Sequence, residues 1–128
     1  MLFRSVETVI SLEPSVVLLC LGGNDGLRQV PLAETVANLS AVIQRLQQAG
    51  AFVVLIGVRS ASLIDQYHGP FKELAAEKNT LYLPNILDGV LGKTNLMADR
   101  IHPNAAGYRQ IAERLANDLR EAGVIVAR

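Results

Sequence analysis

The chain has 128 residues, 50% of them hydrophobic and 19% charged, and its 12 basic side chains balance 12 acidic ones. This is the size and composition of one globular domain able to bury roughly two thirds of its unfolded surface. Lys and Arg form no stripe and Trp is absent, which argues against a nucleic-acid groove built from basic charge and stacking rings. The longest apolar run, Val16 to Leu21, is too short for stable membrane insertion.

In chain order, Val6 to Leu12 reads as a short helix closed by Glu13-Pro14, because the residue before proline is pushed out of the helical region. Leu2-Phe3-Arg4-Ser5 resembles a translated library-adapter end, so residues 1–5 are expected to be non-native. The run Val16-Val17-Leu18-Leu19-Cys20-Leu21 is continuous and apolar, as in a strand buried on both faces. Cys20 is alone, so no intramolecular disulfide is possible, and its position predicts a small buried hydrophobe. Leu32, Val36, Leu39, Ile43 and Leu46 repeat at helical spacing, with Pro31 in the first turn and Gly50 as the stop. Phe52 to Ile56 is a second buried strand ended by Gly57. A polar stretch from Arg59 to Pro70 precedes a helix from about Phe71 to Lys78, and Leu81-Tyr82-Leu83 is a third, short strand. Residues 85–104 read as irregular, with one turn around Ile86 to Leu91. The last helix is expected from about Ala105 to Ala122, capped by Asn104, with Tyr108, Ile111, Leu115 and Leu119 facing inward.

Buried strands alternating with amphipathic helices predict an α/β domain with a parallel sheet covered on both sides. Ligands in such sheets bind beyond the carboxyl ends of the strands. Two loops belong there: Gly22-Gly23-Asn24-Asp25, after the first strand, and Asp99-Arg100-Ile101-His102-Pro103-Asn104, before the last helix.

A histidine acting as general base needs one ring nitrogen facing the reacting proton and the other held by an acceptor. Asp99, three residues before His102, is placed to be that acceptor. The plainer alternative is an Asp and a His that cap the helix or each other. Asn24 can aim its side-chain NH2 at a developing oxyanion, although Gly-Gly-Asn-Asp-Gly is also ordinary turn chemistry. Asp25 is assigned to holding the loop backbone, with Gly23 permitting the turn. The loop lacks the Walker lysine and the dinucleotide Gly-x-Gly-x-x-Gly spacing, so a phosphate cradle is a poor match. A metallophosphatase-type set from Asn24, His68, Asp99 and His102 is short of carboxylates and histidines. His68 itself is expected at the surface.

A buried strand ending in Gly-Gly-Asn-Asp, followed far downstream by Asp-x-x-His-Pro-Asn at the start of the final helix, resembles the SGNH (GDSL-type) serine hydrolase family. Gly22 to Arg28 is most similar to its bacterial acyl-CoA thioesterase, lysophospholipase and arylesterase branch, and the resemblance spans about Val16 to Leu119. It implies a three-layer α/β/α flavodoxin-like parallel sheet of about five strands, here N-terminally incomplete. Residues 1–128 would be the C-terminal portion of a single domain, without its first two strands and their helices. It also implies catalytic roles for Asp99 and His102 and an oxyanion-hole role for Asn24, with Gly23 and Asp25 as supporting loop. No metal and no organic cofactor is implied. The substrates would be small acyl esters, thioesters or lysophospholipids, and the family suggests a periplasmic or secreted location whose signal this chain does not show.

The family's Gly-Asp-Ser nucleophile has no match: Ser5, Ser11, Ser15, Ser40, Ser60 and Ser62 are the serines, and none follows Gly-Asp. The chain alone is therefore expected to be inactive, and a strand edge left unpaired predicts self-association. Arg100 stands where the branch often has glycine. The competing expectation is a non-catalytic binding or self-association module derived from the same fold.

Overall fold

A computed structural model describes residues 2–20, 30–58 and 66–126, with residues 2–4 as backbone alone. The elements follow in the order α1 (Leu2–Ser11), β1 (Val16–Leu19), α2 (Leu32–Gln48), β2 (Phe52–Ile56), α3 (His68–Lys78), β3 (Leu81–Leu83) and α4 (Ala105–Glu121). The strands form a parallel sheet in the order β1-β2-β3. Val16 is level with Phe52 and Leu19 with Leu55, while Val54 is level with Leu81 and Ile56 with Leu83.

Successive side chains of a strand point to opposite faces, and β2 buries both sets. Val53 and Leu55 join Leu39, Val42, Ile43, Leu46, Phe71 and Leu74 in a core beneath α1, α2 and α3. Val54 and Ile56 meet Leu119, Leu115, Leu81 and Leu83 on the opposite face. Helices thus cover both sides of a parallel sheet, the three-layer α/β/α arrangement expected from the alternating pattern.

The helix ends follow from local chemistry. The carboxyl end of α2 is a Schellman turn: Gly50 takes φ +92°, its amide donates to the Gln47 carbonyl and the Ala51 amide to that of Leu46. Asn79 does the same service for α3 at φ +56°, with the Thr80 amide donating to the Ala75 carbonyl. The α1–α2 contact carries a two-point Arg45–Glu7 ion pair at 2.9 and 3.1 Å. Both partners are substantially exposed, so the pair contributes at most about 1 kcal/mol. Burying Val42 and Ile43 completely is worth about 1.5–3 kcal/mol for each side chain. Packing, not the ion pair, holds α2 down.

Four expectations need correction. The first helix begins at Leu2 rather than Val6, since no proline or glycine interrupts Leu2 to Ser5. β1 ends at Leu19 and is not buried on both faces. Leu18 is 45% exposed, because among the described residues β1 pairs with β2 alone and forms an edge of the sheet. Cys20, just past the strand, is exposed rather than buried. Tyr108 is also exposed, and of the expected inward residues of α4 only Leu119 is fully buried.

A methyl group added at Gly50 would meet no atom within 4 Å, so substitution there isolates the cost of its positive φ. Gly50→Ala is expected to lower unfolding free energy by about 1 kcal/mol in urea titration. An unchanged midpoint would show that the α2 terminus does not need this conformation.

Candidate active site

The site is built where β3 has ended and α4 has not yet begun. Just past β2 the Gly57 amide donates to the Leu83 carbonyl at 2.8 Å, and just past β3 the Ile86 amide donates to the Gly57 carbonyl at 3.0 Å. The carboxyl ends of β2 and β3 are thereby tied together. A series of turns follows, with Val90 fully buried. The chain then doubles back through an antiparallel bridge between Met97 and Pro103.

The hairpin so formed carries Asp99 and His102. One carboxylate oxygen, Asp99 Oδ1, accepts the amides of Ile101 and His102, both at 2.7 Å. The His102 Nδ1 lies 2.9 Å from Asp99 Oδ2 and 3.1 Å from Oδ1. The two backbone amides, then the imidazole, hold the Asp99 carboxyl down from its ordinary 3.8 to about 2. An ionised carboxylate only accepts, so the proton of a neutral His102 sits on Nδ1. The lone pair is then on Nε2. His102 keeps 65% of its side chain exposed, so Nε2 is open to a reactant. This is the protonation pattern that a general base requires.

Two features brace the hairpin from α4. Asn104 caps the helix by accepting the Gly107 amide at 2.9 Å, and its side-chain NH2 donates to the Asn95 carbonyl at 2.9 Å. Gly107 is buried against the hairpin: a Cβ there would collide with the Leu96 carbonyl oxygen and come within 2.9 Å of Pro103 Cβ. Further along α4, the Arg114 guanidinium donates to the carbonyls of Asp88, Asn85 and Ile86. It thereby fixes the turns that lead into the hairpin.

Of the residues expected at the site, Asp99 and His102 are in direct contact. Gly23, Asn24 and Asp25 lie outside the described residues, as do Ser60 and Ser62. His68 is not simply at the surface. It opens α3 half-buried, stacked on Tyr82 at 5.7 Å between centroids, with Nδ1 3.1 Å from the Tyr82 hydroxyl. No group of three or more His, Cys, Asp or Glu that could hold a metal occurs among the described residues. No described helix is long and apolar enough to cross a membrane. Gly107 and Arg114 went unnoticed in the sequence. The signals were there: a glycine in the first turn of a helix costs about 1 kcal/mol and implies a close approach, and Arg114 sits beside the inward positions Ile111 and Leu115.

A three-layer parallel α/β domain is also the fold of solved SGNH hydrolases on which this chain superposes, an SGNH-hydrolase family esterase among them at 26% identity and a TM-score of 0.66. The family model described as GDSL-like lipase/acylhydrolase matches residues 2–110, and the chain belongs to that family. It is 33% identical over 109 residues to esterase TesA of Pseudomonas aeruginosa, covering 80% of this chain and 54% of that protein. It is 34% identical over 113 residues to thioesterase 1/protease 1/lysophospholipase L1 of Escherichia coli K12, covering 84% and 54% respectively. The crystal structure of TesA superposes with a TM-score of 0.83 at 31% identity, over 94% of this chain and 70% of that one. The chain thus spans about half the length of these curated relatives.

Two measurements test this geometry. Because the folded pKa of Asp99 is depressed, its ionised form supports the hairpin above the unfolded value of 3.8, and that support disappears as pH falls through about 2. The Asp99 carboxyl carbon should therefore titrate near 2 by NMR; a midpoint at 3.8 would mean that the amide bonds are not formed in solution. Gly107→Ala should destabilise the chain by about 1–3 kcal/mol, since both obstructing groups are backbone or ring atoms with little room to yield. Chemical denaturation measures it, and a neutral result would remove Gly107 as the brace of the hairpin.

Proposed function

We propose that this chain is the C-terminal portion of a serine ester or thioester hydrolase, acting on small acyl esters, thioesters or lysophospholipids. The observation that carries the reading is the His102–Asp99 pair, in which Nδ1 lies 2.9 Å from a carboxylate oxygen and the imidazole side chain is 65% exposed. In the complete enzyme a serine supplied from outside residues 1–128 attacks the acyl carbonyl. His102 takes its proton and later protonates the leaving group, while Asp99 steadies the imidazolium. Asn24, with backbone amides, receives the negative charge that gathers on the carbonyl oxygen. Water then releases the acyl group. No serine of this chain follows Gly-Asp, so the chain alone does not turn over esters.

A second reading, self-association of a non-catalytic module, draws on the edge of β1 that is unpaired among the described residues and on the half-exposed Leu18. Light scattering on the purified chain separates the two: a stable, concentration-independent dimer favours the module.

The hydrolase reading is tested by fusing this chain behind the part of esterase TesA that it does not match and following hydrolysis of p-nitrophenyl butyrate. The fusion should be active. His102→Ala should lower kcat by about 10⁶, Asp99→Asn by about 10⁴, and Asn24→Ala by about 10²–10³. Fusions whose activity is indifferent to His102 would sink the assignment.

A further inference from the structure

Residues 85–104 carry Asp99 and His102 but contain neither helix nor strand beyond the Met97–Pro103 bridge. Local turns set the shape of this stretch. Among the described residues, the bond from the Ile86 amide to the Gly57 carbonyl is its one backbone link to the sheet. Val90 and Leu96 are buried, but apolar contact is non-directional and sets no register. Something else has to fix where the hairpin stands.

One face of α4 supplies it. Asn104, Gly107, Gln110 and Arg114 fall at intervals of three, three and four, so they share one side of the helix. Each meets the backbone of the stretch before the hairpin. The Asn104 NH2 donates to the Asn95 carbonyl at 2.9 Å, and Gly107 lies against the Leu96 carbonyl. Gln110 Nε2 donates to the Gly89 carbonyl at 3.4 Å. The Arg114 guanidinium donates to the carbonyls of Asn85 at 2.8 Å, of Ile86 at 2.6 Å and of Asp88. We infer that Arg114 is a positioning residue for the general base: through this seam it sets where His102 stands relative to the nucleophile. The inference rests on the hydrolase reading, which supplies the reaction.

Three converging carbonyl oxygens repel one another and need a donor that reaches all of them. A planar guanidinium with five N–H groups does so, whereas a lysine ammonium is a compact point donor and an apolar side chain offers nothing. Arg114 clamps the turn where it leaves the Ile86–Gly57 link, so a shift there passes along the turns to the hairpin. The hairpin would move as a body, because Asp99 is closed by the amides of Ile101 and His102. Loss of the clamp therefore misplaces an intact Asp–His pair.

The test uses the TesA fusion with p-nitrophenyl butyrate for turnover. Diethyl p-nitrophenyl phosphate serves as covalent titrant of the serine, releasing p-nitrophenol as it phosphorylates the hydroxyl. Arg114→Met should lower kcat by about 10- to 100-fold, the loss that a displacement of roughly 1 Å brings, with KM within about twofold. The titrant should react more slowly by the same factor and still reach the same final stoichiometry, as folded chains must. Arg114→Lys should recover part of the rate. Arg45→Met, which removes the exposed pair with Glu7, should change neither. In the full chain alone, Asp99 should titrate in Arg114→Met as it does in the unsubstituted protein. If Arg114→Met does not fold, Arg114→Lys takes its place, with a kcat loss of at least about threefold required at full stoichiometry. Unchanged kcat, a lower stoichiometry at unchanged rate, or an equal loss in Arg45→Met overturns the assignment. The hydrolase reading fails separately: a fusion indifferent to His102 discards that reading and this role together, whereas one that needs His102 but not Arg114 discards this role alone.

Discussion

The structure depends on β2 being buried on both faces. A strand in that position has to be apolar at nearly every residue, and its neighbours have to run parallel, with each connection returning over one face of the sheet. Val53 and Leu55 fix α2 and α3 on one side, while Val54 and Ile56 fix α4 on the other. The carboxyl ends of β2 and β3 are then joined through Gly57, Leu83 and Ile86. The turns after β3 start from that junction, and α4 carries the chain back under them. The position of the Asp99–His102 hairpin is therefore a consequence of topology, while its internal geometry is local.

That division explains what the sequence revealed. Phe52–Ile56 was legible to the residue because a strand buried on both faces cannot hide its pattern. The face of α2 was legible from its spacing, although Thr35 and Val42 share the burial with Leu39, Ile43 and Leu46. Leu18 and Cys20 were misjudged because an edge strand and a central strand can have the same composition; which one β1 becomes depends on what pairs with it. Tyr108 was misjudged for a related reason. The face that α4 covers holds only Val54 and Ile56 of β2, a few flanking apolar residues and β3, which offers three residues. Among the described residues, neither Tyr108 nor Ile111 joins the cluster packed on that face.

The candidate site divides in the same way. Asp99 and His102 were legible as a pair because a three-residue spacing leaves the carboxylate within reach of both the intervening amides and the ring. Asn104 was legible as a cap because caps are a matter of one side chain and one turn. Gly107 and Arg114 were not, since their partners, Leu96 and the carbonyls of residues 85–88, lie far from them in the chain. An arginine on a helix reads as solvated unless something shows that three unpaired carbonyls converge on it.

A carboxylate that receives two backbone amides before it touches the histidine is held by its own loop rather than by a deep core. Such a pair keeps its geometry even though both side chains are largely exposed. The exposure also has a chemical consequence. A buried Asp–His pair would have to exclude a neighbouring guanidinium or bury it at high cost. An exposed one tolerates Arg100 alongside, because solvent screens the charge and the Asp99 oxygens are already occupied.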